Sequence, residues 1–211
     1  MLKIDHFVVG AADLASGTDW MHNLLGVPPV GHGKHTAMST HNSLWRVGSA
    51  YLEVIAVDPD APDPGRVRWY SLDDPATRVR IAQRPCLLTW VASTTDLARA
   101  IRRCAHDPGP VVDFARDDLV WKLTVPDDGH VPGGGAIPHL IEWPEPARSP
   151  SNALPDQGLE ILEFSAQCPP DTARSIEKMG ASHLLDLQDG SGPLAVTIRR
   201  ADGNPVRIES C

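Results

Sequence analysis

Apolar and polar positions follow two different periods in the first part of the chain. Residues 3–10 form a short apolar run rich in β-branched side chains, which is typical of a β-strand. Residues 14–25 place their apolar side chains on a partial helical stripe that begins after a potential N-cap at Asp13. Two further runs, 41–48 and 51–57, meet at a Gly-Ser pair and predict a β-hairpin. The predicted order is strand, helix and two or three antiparallel strands.

The same order of elements recurs twice, although the residues themselves differ. The second unit has a predicted strand at 86–93, a helix at 96–105 and strands near 111–116, 119–125 and 138–143. The third has a strand at 159–166, a helix at 170–179 and strands at 183–188, 193–199 and 205–209. Residues 144–157, rich in Pro, Ser and Ala, predict a linker. The turn-rich stretch 58–84 allows a short helix within residues 66–83.

This organisation predicts an α+β fold made of three βαβββ modules. We expect residues 1–145 to form one domain from two modules, residues 1–58 and 85–145. Residues 157–211 would form a third module that packs on the same sheet or completes it. Which two modules pair is left open by the sequence.

Composition limits the class of protein and its partners. The 211 residues are 42% hydrophobic and 22% charged, which are ordinary globular values. The formal net charge of -8 argues against nucleic acid and anionic membrane surfaces as partners. No stretch approaches the roughly 20 apolar residues that span a bilayer. The four cysteines are widely spaced and form no CxxC pair, which predicts reduced thiols in a cytoplasmic protein.

Several segments, taken in their order and spacing, resemble a known superfamily. They are Ile4–Val9 with Asp13-Leu14, the helix end Leu24–Gly26, Thr40–Leu44, Tyr51–Ile55 and Pro138–Trp143. Together they resemble the vicinal oxygen chelate superfamily, which includes glyoxalase I, extradiol dioxygenases and bleomycin-resistance proteins, and within it a glyoxalase-like family. The resemblance covers nearly the whole chain. It implies that two modules pair in a mixed-sheet half-barrel around a cup.

The resemblance also implies a metal site. The ligands at the matching positions would be His6 and Glu53 from the first module and Glu142 from the second. The fourth position holds Thr89, a poor ligand and a departure from the pattern. One histidine and two carboxylates suit Mn²⁺, Fe²⁺, Ni²⁺ or Mg²⁺ better than structural zinc, with Zn²⁺ also a candidate. If the first and third modules paired instead, Glu163 or Glu209 would replace Glu142.

Strand alternation tests whether these residues can share a cup. Glu53 shares a strand face with Tyr51, and an unpaired buried carboxylate is costly, so Glu53 is expected in a polar cup. A position at a sheet edge is the alternative. His6 is either a ligand or a core histidine bonded to backbone. His41, which opens a strand, is a candidate acid-base group, a replacement ligand or a plain loop-end residue. His35, in a predicted loop, is assigned no function.

Two functions remain open at this stage. In an isomerase, lyase or dioxygenase of glyoxalase type, the metal would stabilise an enediolate or similar oxyanion while Glu53 or His41 moves a proton. The alternative is a metal-free protein that binds or sequesters a small molecule, which Thr89 and nearby aromatic residues favour. The expected partner is a small molecule with adjacent oxygens. A homodimer is one oligomeric state that the sequence allows.

Overall fold

Strands from the whole length of the chain form two mixed β-sheets. A computed structural model describes residues 1–116 and 118–211, to which all element bounds refer. The strands are β1 (Lys3–Gly10), β2 (Gly31–His35), β3 (Thr40–Val47), β4 (Ala50–Val57), β5 (Cys86–Ser93), β6 (Val111–Arg116), β7 (Leu119–Thr124), β8 (His139–Glu142), β9 (Glu160–Cys168), β10 (Asp186–Asp189), β11 (Leu194–Arg199) and β12 (Pro205–Glu209). The helices are α1 (Leu14–Leu25), α2 (Pro75–Gln83), α3 (Leu97–Ile101), α4 (Pro150–Ala153) and α5 (Pro170–Met179). Within the described ranges, no helix has the length and apolar character needed to cross a membrane.

The first sheet has eight strands and curls toward closure. Its strand order is β2-β3-β4-β1-β5-β8-β7-β6. The two central strands, β1 and β5, run antiparallel to each other, so the first and second sequence units share this sheet. Its edge strands β2 and β6 contact each other, which leaves a nearly closed barrel with a cup on the inner face. The predicted α+β class and mixed-sheet half-barrel are confirmed.

Local sequence explains why helix α1 forms and where it lies. The Asp13 carboxylate accepts a hydrogen bond from the backbone N–H of Ser16 at 2.8 Å, an N-cap interaction. Gly26 ends the helix in the left-handed conformation, with φ 76°. Close packing explains the glycine at position 17, because a Cβ atom there would lie 2.5 Å from the Cβ of Ala11. The helix therefore sits close against the outer face of the first sheet.

The second sheet covers the outer face of the first sheet, away from the cup. Phe164 of β9 packs edge-on against Phe7 and Trp90, with ring centroids 4.9 Å and 5.1 Å apart. Its strand order is β10-β9-β11-β12, with β9 parallel to β10. The third unit thus keeps the predicted order of elements but pairs its strands differently from the first unit, where β1 is parallel to β4.

The carboxylates of the third unit lie outside the cup. Glu163 is exposed, and Arg207 forms salt bridges with both Glu163 and Glu209. Neither glutamate replaces Glu142 in a ligand set. The third unit therefore contributes neither of these carboxylates to the cup.

The cysteines differ from the prediction of four reduced thiols. Cys86, at the start of β5, forms a disulfide with Cys211, and their Cα atoms are 5.7 Å apart. Cys104 and Cys168 are free. The bonded pair is separated by 125 residues, and sequence spacing alone does not show that two such distant positions meet in the fold.

Candidate functional site

The inner face of the first sheet forms a cup. Its volume is about 390 Å³, including the open mouth. The polar side chains in the lining are His6, His35, Asn42, Glu53 and Arg116. The aromatic ones are Tyr51, Trp69, Tyr70, Trp121 and Trp143.

A buried chain of polar groups runs along the bottom of the cup through His6. The Asp5 carboxylate lies 2.8 Å from Nδ1 of His6 and accepts a second hydrogen bond from the Trp143 indole at 3.0 Å. Because an ionised carboxylate only accepts hydrogen bonds, Nδ1 of His6 directs its N–H toward Asp5. Nε2 lies 3.5 Å from Oε2 of Glu53. His6 and Glu53 are only 3% and 4% exposed.

A bulge explains how adjacent residues of β1 can both take part. The pairing of β1 with β5 shifts register between Ile4 and His6, which leaves Asp5 in the irregularity. Asp5 can therefore reach the ring of its neighbour. The Tyr51 ring stacks on the face of the His6 ring, with centroids 4.5 Å apart, and fixes the plane of the imidazole.

The second oxygen of Glu53 faces another polar pair. The amide of Asn42 donates to Oε1 of Glu53 at 2.5 Å, and Nε2 of His35 lies 4.0 Å from the same oxygen. Burial, followed by the positive charge of Arg116, lowers the pKa of His35 to about 3. This imidazole is therefore neutral at ordinary pH. Oδ1 of Asn42 is buried and has no hydrogen-bond partner among the described residues.

The structure brings His6 and Glu53 together, as strand alternation predicts. Strands β1 and β4 are parallel neighbours, and His6 is paired with Tyr51, two residues before Glu53 on the same face. All three residues line the cup.

Glu142 is not brought to the cup. Its Oε2 accepts a hydrogen bond from the backbone N–H of Leu97 at 2.7 Å, at the start of α3. Its neighbours Ile141 and Trp143 line the cup, so alternation along β8 directs Glu142 to the opposite face. Thr89 has a structural contact as well, since its hydroxyl donates to the Gly135 carbonyl at 3.2 Å.

His41 also lies outside the cup. Its neighbour Asn42 lines the cup together with Leu44, so His41 is on the other face of β3. Ser43, on that same outer face, lies 2.8 Å from the hydroxyl of Thr18 in α1. His41 therefore has no contact with the reactive groups of His6 and Glu53.

Three polar residues of the cup lining were not identified from the sequence: His35, Asn42 and Arg116. Asn42 shares its strand face with the apolar Leu44. An asparagine on a buried strand face needs a hydrogen-bond partner, and this pattern could have indicated a polar site. His35 ends a short strand rich in glycine, whose boundaries are hard to predict. Arg116 enters the cup only because β6 meets β2, which no local pattern reveals.

The wall residue Tyr70 is held in an unusual backbone conformation. Tyr70 and Ser71 have φ values of 57° and 56°, in the left-handed region that non-glycine residues seldom occupy. Hydrogen bonds of Ser71 to Gly129 and Val131, at 2.7 Å and 3.1 Å, hold this turn. Such strain is characteristic of functional sites. Here it directs Tyr70 into the cup.

One of two similar solved structures supports the fold. A hypothetical protein from Staphylococcus aureus superposes with a TM-score of 0.60 at 16% identity, covering 100% of this chain and 86% of that one. A methylmalonyl-CoA epimerase from Mycobacterium tuberculosis has a TM-score of 0.44 at 19% identity, covering 67% of this chain and 88% of that one. Values of this size do not transfer an activity from one protein to another. No curated protein matches the chain significantly.

The sequence matches a family model over most of its length. The model describes a glyoxalase-like domain, and the match covers residues 4–180. The predicted relationship to the vicinal oxygen chelate superfamily is thereby confirmed. This chain belongs to the glyoxalase-like domain family.

Proposed function

We propose that this protein binds a small ligand with adjacent oxygen atoms in the cup and, with a divalent metal ion, acts on it as an isomerase or lyase. The supporting observation is the buried line of Asp5, His6 and Glu53 at the bottom of the cup. A histidine oriented by a carboxylate, with its other ring nitrogen facing a second carboxylate, is suited to metal binding and to proton transfer.

The donor set fits a divalent ion in chemical type. His6 offers Nε2 while Asp5 holds the other ring nitrogen, the usual outer-shell arrangement of a metal-binding histidine. Two donors bound at about 2.1 Å and at right angles lie about 3 Å apart, and Nε2 of His6 is 3.5 Å from Glu53. His35 would be the third donor. Its Nε2 lies 4.0 Å from Glu53 and 3.4 Å from the Asn42 amide, which would have to turn away from it. No fully assembled group of three His, Cys, Asp or Glu ligands occurs in residues 1–116 and 118–211, so binding would require a small closure of these side chains.

The chain's own residues provide the remaining chemistry. A divalent ion bound here would polarise a ligand oxygen and stabilise negative charge on it. Glu53 presents Oε2 to His6 and Oε1 to Asn42, so one oxygen can serve as a ligand while the other accepts a proton. Burial raises the pKa of Tyr51 and of Tyr70 well above 10, so both phenols remain protonated and can donate hydrogen bonds to the ligand.

A metal-free binding protein is the second candidate, and one contact favours it. The Asn42 amide satisfies Oε1 of Glu53 directly, so the carboxylate has a neutral partner without any ion. The aromatic walls of the cup would then supply most of the contact with the ligand.

Metal titration separates the two candidates. We expect Mn²⁺ or Ni²⁺ to bind the protein, and His6→Ala and Glu53→Ala to weaken binding by more than about 100-fold, because each removes a donor. His35→Ala should weaken it by about 10–100-fold. His22→Ala, an exposed histidine on α1, is the matched control and should have no effect. Isothermal titration calorimetry of protein purified without chelator gives these affinities.

Two results would contradict the metal-dependent proposal. One is wild-type protein that binds none of Mn²⁺, Fe²⁺, Ni²⁺, Mg²⁺ or Zn²⁺. The other is binding that survives in a His6→Ala, Glu53→Ala double variant. Either result would favour the metal-free binding protein.

A further inference from the structure

Arg116 places a positive charge at the mouth of the cup. It is the last residue of the edge strand β6 and lines the cup together with His6 and Glu53. Its side chain is half-buried rather than extended into solvent. An arginine in this position requires a reason, because its long side chain loses conformational freedom there.

The opposite edge strand is shaped to receive the guanidinium. Gly33 of β2 faces Arg116, and a Cβ atom at Gly33 would overlap Nη1 and Cζ of that side chain. The backbone of Gly33 is in an ordinary extended conformation, so the missing side chain is not needed for a turn. Glycine at this position instead leaves room for Arg116 to cross from β6 to β2 at the rim.

The charge of Arg116 acts on the interior of the cup. No carboxylate in residues 1–116 and 118–211 forms a salt bridge with it. Arg116 lines the same pocket as His6, His35 and Glu53. The guanidinium is therefore directed at the same space as the proposed metal ligands.

The balance of charge then favours an anion. Asp5, buried behind His6, and Glu53 in the lining contribute two negative charges, and Arg116 contributes one positive charge. A bound divalent ion would leave the cup with an excess positive charge, which a monoanionic ligand neutralises. The guanidinium has the planar fork that pairs with both oxygens of a carboxylate.

We propose that the ligand is a small carboxylate with a hydroxyl or carbonyl oxygen on the adjacent carbon, and that Arg116 binds the carboxylate group. This inference deepens the proposed function and relies on it for the metal-facing end of the ligand. The cup volume of about 390 Å³, including the mouth, agrees with such a small molecule.

Glycolate and its uncharged amide, glycolamide, are a matched pair of probes. Quenching of tryptophan fluorescence reports their binding, because Trp69, Trp121 and Trp143 line the cup. We expect wild-type protein with Mn²⁺ to bind glycolate more tightly than glycolamide. Arg116→Gln should weaken glycolate by about 10–100-fold and leave glycolamide unchanged, because it removes a charge-assisted hydrogen bond.

Two further variants make the test specific to the guanidinium and its position. Gly33→Ala retains Arg116 but displaces it, so glycolate binding should weaken in the same direction as in Arg116→Gln. Arg116→Lys retains the charge without the fork and should restore part of the affinity. Arg102→Gln, at an exposed position after α3, changes the net charge equally and should bind like wild type.

Several outcomes would overturn the inference. One is equal affinity of the wild-type protein for glycolate and glycolamide. Another is an equal loss of glycolate affinity in Arg116→Gln and Arg102→Gln. The third is that none of glycolate, oxalate and pyruvate binds. Repeating the titrations without metal separates the two proposals. If the wild-type protein binds no metal, but Arg116→Gln still weakens the binding of glycolate, the metal-dependent function fails and the role of Arg116 stands.

Discussion

His139 is a buried residue whose ionisation is opposed by its surroundings. Its Nδ1 lies 3.2 Å from the Thr124 carbonyl, and Nε2 has no hydrogen-bond partner among the described residues. The ring packs edge-on against Tyr70 at 5.2 Å. Burial is the main reason that its pKa falls to about 4 from its ordinary value of 6.5. The folded protein therefore holds this imidazole neutral.

The depressed pKa of His139 predicts that acid destabilises the protein. Below 6.5 the unfolded chain binds a proton that the folded chain accepts only near pH 4, so stability falls as the pH drops through this window. This residue should account for about 2 kcal/mol of lost unfolding free energy between about pH 7 and about pH 5. Urea unfolding at both pH values measures it. His139→Gln should show that much less pH dependence than wild type.

The control for this measurement is His22→Gln, on the exposed face of α1. Its stability should follow the wild-type pH dependence. Parallel profiles for wild type and His139→Gln would show that His139 is not the group responsible.

Residue patterns predict His6 and Glu53 but only part of their surroundings. Both lie in long apolar strands, where a polar side chain on a buried face has few explanations, and alternation assigns the face. His35 and Arg116 lie at the ends of edge strands, where local sequence specifies neither burial nor neighbours. Their contribution depends on sheet closure, which is a property of distant segments.

At the scale of elements, the five-residue helix α3 depends on side chains at its start. Asp96 accepts a hydrogen bond from the backbone N–H of Arg99 at 2.9 Å, and Glu142 accepts one from Leu97 at 2.7 Å. A helix this short has few hydrogen bonds of its own, so its first turn needs such partners. Glu142 therefore connects β8 to α3.

Replacing Glu142 should affect stability and not metal affinity. We expect Glu142→Ala to lower the unfolding free energy by about 1 kcal/mol, because it leaves a helix N–H without its acceptor. Its Mn²⁺ affinity should equal that of wild type, in contrast to Glu53→Ala. Urea unfolding and calorimetry on the same samples provide both values. Glu145→Ala, an exposed residue three positions later, is the control for a lost surface carboxylate. A large loss of metal affinity in Glu142→Ala would return Glu142 to the ligand set.

Elements with a strong period are predicted well, and connecting segments are not. Helix α1, strand β5 and helix α5 have the predicted limits within a residue, because caps, glycine stops and apolar runs define them. The segment between β4 and α2 gave no clear prediction. It contributes Trp69 and Tyr70 to the cup through a left-handed turn of non-glycine residues, which sequence patterns do not reveal.

At the scale of the whole molecule, the disulfide joins the residue after the last strand of the second sheet to β5, a central strand of the first sheet. Cys86 is almost fully buried at the start of β5, and Cys211 follows β12. Strands β5 and β12 also contact each other directly. The bond therefore reinforces an interface that apolar packing already forms.

The disulfide predicts stability that depends on the redox conditions. We expect Cys211→Ser to lower the unfolding free energy of the oxidised protein by about 2–4 kcal/mol, since a long closed loop restricts the unfolded chain. With a reducing agent, wild type and variant should have similar stability. Cys104→Ser, which changes a free cysteine, controls for the loss of a thiol. Detection of four free thiols in unreduced, denatured wild-type protein would contradict the bond.

The overall class could be predicted because the order of elements repeats, but the arrangement of the third unit could not. The strands and the helix of the third unit follow the same order along the chain as those of the first unit, yet β9 pairs with both β10 and β11. The order of strands in a sheet depends on which face of the sheet becomes buried. The second sheet buries its face against the first sheet, which is formed by other units of the chain. Phe164 has a partner only after Phe7 and Trp90 have formed the outer face of the first sheet.

The two parts of the cup come from different regions of the chain. Asp5, His6 and Glu53 belong to the first sequence unit, whereas Arg116 and Trp121 come from β6 and β7. Substitutions in the later region can therefore change the shape of the opening without disturbing the reactive groups. For protein engineering, this separation makes the hairpin of β6 and β7 the segment to diversify when a new ligand is sought.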